Sequence, residues 1–288
     1  MHRSLIVGVL ALQAIAGAWQ PVSAQSTTGA DGRTVVPRDT ANAERHQTLF
    51  TYRDAALAAG FVGLTVAMFP LDKHIAESLQ DPELKANKFF DKSATGVELI
   101  SSPGAYVIGG ALYAVGRLGG HKDVEDLGWH GTEAVLLSSG VTGLLKGVLG
   151  RSRPDFSADT NPHDFKFAKG FSNSNRQSFP SGHTTTAFAA AAAVTSEARR
   201  MWPKSVWYVA PAMYGGATLV GLSRMYHNRH WASDVVLGAA IGTFSGLKVV
   251  RYSHAHPDNR IDKVIINAAS IMPDGRGGGV LSFSFPAP

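Results

Sequence analysis

The chain has no cysteine. Disulfides, thiolate metal sites and cysteine nucleophiles are therefore excluded together. Charge is also sparse, at 17% of 288 residues, which is little for an ordinary soluble surface. The formal balance of +5 comes without any Arg/Lys run interleaved with aromatics, so nucleic acid is not an expected partner. No carboxylate cluster or His/Cys grouping resembles a divalent-metal site, so neither a metal nor another cofactor is expected. Long apolar runs are scarce as well. Of six uncharged stretches, Ala134–Leu145 and Val235–Leu247 have only 12 and 13 residues, whereas crossing a bilayer takes about 20. With a mean hydropathy of −0.01, this favours an exported, periplasmic or envelope-located helical bundle associated with a membrane. Integral insertion in an inner membrane is the alternative.

The amino terminus supports export. His2 and Arg3 precede an apolar core from Leu5 to Ala18, and Val22-Ser23-Ala24 offers a small-residue cleavage site, so residues 1–24 read as a signal peptide. Residues 25–46 lack apolar periodicity and read as a flexible leader. A helical domain is expected over 47–254, with core helices near Tyr52–Phe69, Glu98–Leu118, Thr132–Leu149, Ser181–Arg199, Ser205–Ser223 and Ala232–Arg251. Between the first two lies an amphipathic stretch, Leu71–Lys92, interrupted at Asp81-Pro82. The remainder, 255–288, contains two β-like runs around Pro273-Asp-Gly-Arg-Gly-Gly and reads as a tail with a small hairpin.

Chemistry concentrates in three clusters. In the first, Lys146 and Arg153 lie seven residues apart, a spacing that lets them share a face at a helix end before Pro154 stops the helix. Such a pair alone is commonly a dipole-compensating surface feature, and only spacing distinguishes Arg153 from Arg151. In the second, Phe179-Pro180-Ser181-Gly182-His183 closes a polar loop and opens a helix. Ser181 is a candidate N-cap, Gly182 allows close approach to the backbone, and the free amides favour an anion. His183 falls in the first turn, placed to give a proton to a leaving oxygen. The third is Ser223-Arg224 followed by His230 and Asp234. Their i,i+4 spacing puts the last two on one helical face, where the carboxylate can hold one ring nitrogen protonated and leave the other a lone pair. Permanent cations beside such a pair suit a tetrahedral oxyanion that is held and attacked.

Together these clusters read KxxxxxxRP, PSGH and SRxxxxxHxxxD. In this the chain resembles the type 2 phosphatidic acid phosphatase superfamily, which includes bacterial acid phosphatases and vanadium haloperoxidases. The resemblance implies an all-α fold with a six-helix core bundle. It implies that Lys146, Arg153 and Arg224 bind phosphate with help from Ser181 and Gly182. It also implies that His230 is the nucleophile, Asp234 its orienter and His183 the general acid.

The expected activity is metal-independent phosphatase chemistry through a phosphohistidine, with a phosphorylated small molecule or lipid as partner and vanadate as inhibitor. A haloperoxidase holding vanadate as cofactor in the same pocket is the alternative. The loop Asp155–Phe179 carries Phe156, Phe165, Phe167, Phe171 and Phe179 among basic residues. These aromatics suit either admission of a lipid chain or anchorage of the loop on the bundle.

Overall fold

A computed structural model describes residues 49–257 and the paired segments 269–273 and 279–283. The expected signal peptide and leader, residues 1–46, lie outside the described residues, as does 274–278 within the expected hairpin turn. Two compact units are present, one containing Phe50–Val250 and one containing Leu49 and the described residues from Arg251 onward. In the second unit, strands β1 (Ala269–Pro273) and β2 (Gly279–Phe283) pair antiparallel, from Ala269 opposite Phe283 to Pro273 opposite Gly279.

The larger unit is helical. Helix α1 (Tyr52–Met68) opens with a capping box in which Thr51 and Asp54 satisfy each other's backbone N–H groups. A single 3₁₀ turn containing Pro70 leads into α2 (Asp72–Leu79). Asp81 caps the short α3 (Pro82–Ala86) by accepting from the amides of Glu83 and Leu84, so the amphipathic stretch is interrupted where Asp81-Pro82 required. Helices α4 (Lys88–Ser101) and α5 (Gly104–Gly119) follow. The expected single helix from Glu98 to Leu118 is thus two. Pro103 has no amide to donate and disfavours helical geometry at Ser102 before it, so Glu98 belongs to the earlier helix.

Helix α6 (Lys122–Leu149) begins ten residues before the expected start at Thr132, because the polar turn Lys122–Asp126 is itself helical and laced by ion pairs from Lys122 to Glu125 and Asp126. Gly150 ends it in the left-handed region (φ 57°), where a Cβ would lie 1.9 Å from the Lys166 carbonyl oxygen. The stop is therefore Gly150 and not Pro154. Helices α7 (Gly182–Met201), α8 (Val206–Tyr226) and α9 (Ala232–Ala255) complete the unit.

Helix α7 runs through the core. Its Phe188 and Ala191 pack with Phe61 of α1, Ala217 of α8 and Val236 and Ala239 of α9. On another side Ala189 and Ala193 meet Ala134 and Val135 of α6. Small residues let the backbones approach closely. Gly238, Gly242 and Gly246 of α9 recur every four residues, and a Cβ on each would come within 2.6, 2.3 and 2.6 Å of the carbonyl oxygens of Ser181, Thr185 and Ala189. Only hydrogen fits in that seam, and it fixes α9 against the start of α7.

Three helical stretches, Tyr52–Leu79, Lys122–Leu149 and Ala232–Ala255, are long and apolar enough to cross a membrane, and the pair α4–α5, bent by 44°, makes a fourth if counted as one span. The expectation that the third and sixth core helices are too short for this is corrected. Their uncharged runs are short, but each helix continues through charged residues at its ends, reaching 28 and 24 residues. Val62, Val66, Leu136, Leu137 and Leu144 on these stretches are exposed.

Candidate active site

The three sequence clusters meet at the start of α7, the end of α8 and the turn before α9. Arg153 and Arg224 line one cavity of about 600 Å³ together with Glu98, Ser174, Asn175, His227 and Arg229. Lys146 reaches the same region, its Nζ donating to the carbonyl of Gln177 at 2.5 Å, and its Cε lies 3.5 Å from where a Gly182 side chain would start. Lys146 and Arg153 do not share a helical face, because α6 has ended before Arg153. The loop after Gly150 brings the guanidinium back instead, through Nε donation to the Ser174 carbonyl at 3.1 Å.

Ser181 does occupy the N-cap position of α7, with extended backbone. Its hydroxyl pairs with the Thr184 hydroxyl at 2.8 Å and caps no amide, which corrects the expected side-chain cap. Its own amide donates to the backbone carbonyl of Asp234 at 2.9 Å, tying the second and third clusters together.

His230 is 3% exposed and precedes α9, so it and Asp234 do not sit on one helical face. Its Nδ1 lies 2.7 Å from the backbone carbonyl of Ser178 and 3.5 Å from Asp234 Oδ2. A carbonyl only accepts, so Nδ1 carries the hydrogen and Nε2 keeps the lone pair. Burial, and then the charge of Lys146, push the imidazole's pKa down to about 3. His183 is lowered to about 4 by burial and by Arg224. Lys146 and Arg224 depress both rings, which places the two imidazoles in one cationic field.

Asp234 holds the surrounding frame. Its Oδ2 accepts from Ser178 Oγ at 2.5 Å and from the Trp231 amide at 2.8 Å, while Oδ1 takes Arg151 Nη1 at 2.5 Å. Arg151 is fully buried. It also donates to Asp72 Oδ2 at 2.7 Å, to Ser233 Oγ at 2.7 Å and to the Pro162 carbonyl at 2.9 Å. The rings of Phe69, Phe165, Phe179 and Trp231 surround its guanidinium at 4.8 to 5.5 Å. Asp72 in turn accepts from the Ser233 amide and hydroxyl at 2.8 and 2.5 Å. The two arginines of Arg-Ser-Arg thus divide, Arg151 into the frame and Arg153 onto the cavity. Phe179 is buried and Phe165, although partly exposed, also lies over Arg151, whereas Phe156, Phe167 and Phe171 are exposed.

Arg224 forms an ion pair with Glu98 through Nη1. Its Nε is buried and has no hydrogen-bond partner among the described residues. A buried donor left empty costs about 1–3 kcal/mol, and it fits a site that awaits an acceptor. Burial, with Arg229 and Arg224 nearby, lowers the pKa of Arg153. Guanidiniums that repel one another in this way are relieved by a bound anion. Sequence reasoning missed Asp72, Arg151, Ser178, Glu98 and His227. Arg151 alone carried a signal, as a second arginine beside the motif.

Residues 128–258 match the PAP2 superfamily. The chain is 39% identical over 110 residues to a lipid A 1-phosphatase of Porphyromonas gingivalis, covering 38% of this chain and 20% of that protein. It is 30% identical over 156 residues to a probable diacylglycerol pyrophosphate phosphatase of Schizosaccharomyces pombe, covering 46% and 55%. The chain therefore spans about half or less of the length of these relatives. In fold it is similar to the crystal structure of a transmembrane PAP2-type phosphatidylglycerolphosphate phosphatase from Bacillus subtilis, with a TM-score of 0.50 and 24% identity, over 73% of this chain and 99% of that one.

Proposed function

We propose, for a chain whose residues 128–258 match the PAP2 superfamily, that it is a member of that superfamily and a phosphoric ester hydrolase acting on a lipid phosphate by way of a phosphohistidine. The observation that carries this reading is the tautomer of His230, whose Nδ1–H is committed to the Ser178 carbonyl and whose Nε2 keeps its lone pair in the field of Lys146 and Arg224. The lipid A and diacylglycerol pyrophosphate activities named for its relatives support a lipid substrate, as do the apolar helices that suit a membrane setting.

In the first step His230 Nε2 attacks phosphorus and the bond from phosphorus to the leaving oxygen breaks. Lys146, Arg153 and Arg224 hold the three remaining oxygens, with Ser181 and Gly182 allowing close approach at the start of α7. His183 gives the leaving oxygen its proton. With the site empty, burial and then the neighbouring cations, Arg224 first, hold His183 neutral down to about pH 4. A substrate with two negative charges reverses that field, so His183 takes up its proton as substrate binds. In the second step water attacks phosphorus, His183 accepts a proton from it, and the N–P bond breaks to release inorganic phosphate.

Purified protein in detergent, assayed against lipid and soluble phosphates with a chelator present, tests the reading. Activity is expected to survive EDTA, to favour the lipid and to be blocked by vanadate. Loss in EDTA that zinc or magnesium restores would refute the metal-free chemistry.

A further inference from the structure

We infer that Glu98 is a built-in competitor for the oxyanion site, a fixed negative charge that weakens phosphate binding so that product can leave. The inference rests on the phosphatase reading above. Arg153, Arg224 and Arg229 line one cavity and Lys146 feels the charges of the first two, so a phosphate dianion among these cations would be held tightly. Arg229 is balanced by Asp155 at 2.8 Å. Arg153 makes no ion pair among the described residues. Glu98 supplies the one carboxylate that lines the cavity itself.

It comes from α4, outside the segment that matches the family. It is also held firmly. One oxygen pairs with Arg224 Nη1, and Oε1 accepts from His227 Nδ1 at 2.7 Å. The carboxylate cannot swing away without breaking both contacts, and its side chain is only 15% exposed, so water screens it poorly.

Two consequences follow from like charge. Substrate and product must bind beside a carboxylate that repels them, which raises the energy of both bound dianions. Charge that moves onto the leaving oxygen in the transition state is neutralised by His183, so that state is repelled less. Binding energy is then withheld from the ground state and the product. A residue that merely oriented Arg224 would do the opposite, because removing it would weaken phosphate binding.

The two readings therefore predict opposite signs. Inhibition constants for inorganic phosphate and vanadate are measured for wild type, Glu98→Gln, Glu98→Ala and Glu98→Asp. Glutamine keeps an oxygen for Arg224, and the His227 ring can exchange tautomers to accept from the amide. Both neutral variants should bind the two anions about tenfold tighter, equivalent to about 1.4 kcal/mol, with kcat lowered by slow release. Glu98→Asp keeps the charge and should stay close to wild type. Alanine serves as the second neutral variant should glutamine misfold. Unchanged or weaker binding in the folded neutral variants would overturn the inference and leave Glu98 as a positioning residue. Failure of wild type itself to bind either anion would instead remove the phosphatase reading.

Discussion

His230 gives its Nδ1–H to the main chain of Ser178, 2.7 Å away, and stands 3.5 Å from the carboxylate of Asp234. Asp234, expected to orient the ring directly, acts one step removed. Asp234 binds the hydroxyl of Ser178, and the carbonyl of that same residue fixes the ring.

The two histidines should be separable by leaving group. His230→Ala is expected to abolish the phosphoenzyme. His183→Ala removes only the proton donor, a contribution of about 10²–10⁴-fold, so an activated aryl phosphate should retain far more activity than an alkyl phosphate. Rapid quench with labelled substrate reads both effects. An adduct that survives His230→Ala and vanishes in His183→Ala would mean the roles are exchanged.

Asp234→Asn should cost stability as well as rate. Asp234 and Asp72 together balance Arg151, which is fully buried. Breaking one buried charge pair from one side typically costs about 3–5 kcal/mol. Ser178→Ala loses a single hydroxyl and keeps the carbonyl that holds His230, so it should be much milder. Thermal unfolding of both variants, with kcat measured on the folded fractions, checks the ranking. Equal destabilisation would show that Asp234 is not the frame's centre.

Acid should destabilise the protein before its carboxylates titrate. His230 and His183 have folded pKa values of about 3 and about 4, below the usual histidine value of about 6.5. Between those limits the unfolded chain binds protons that the folded chain refuses, so stability rises with pH. The contribution is complete above about pH 6.5 and declines as pH falls toward about 3. Melting temperature should drop between pH 7 and pH 5, and drop less in His230→Gln. An equal drop in both would remove His230 from the account.

Gly242→Ala tests the seam between α7 and α9. The new Cβ would sit 2.3 Å from the Thr185 carbonyl oxygen and 2.8 Å from the Ala189 amide nitrogen, both backbone atoms that cannot yield separately. Overpacking of this kind typically costs about 1–3 kcal/mol. Gly215→Ala on α8, where a Cβ meets nothing within 4 Å, should be close to neutral. Denaturant unfolding of the pair gives the comparison.

The chain announces its candidate site residues and hides their supports. Lys146, Arg153, His183, Arg224 and His230 stand out because permanent cations and imidazoles at fixed spacing are unusual in otherwise plain helices. Asp72 looks like any polar residue in an amphipathic stretch, and only the fold brings it to Arg151. Glu98 reads only as the start of a helix to Leu118, and the break that Pro103 imposes, which ends α4 after it, goes unread. The spacing of His230 and Asp234 suggested a shared helical face. The turn before α9 replaced that face with a main-chain contact, which no side-chain pattern encodes.

Asp72 also bears on where this protein can be cut. It lies on α2, 56 residues before the segment that matches the family begins at residue 128, yet it completes the charge balance around Arg151. An excised 128–258 fragment would carry every candidate site histidine and arginine, but also a guanidinium walled in by aromatic rings with half its anionic company gone. The matched segment is therefore not portable. Grafting or minimising it would require α1 and α2 to travel with it, or Arg151 to be redesigned as a neutral residue together with Asp234.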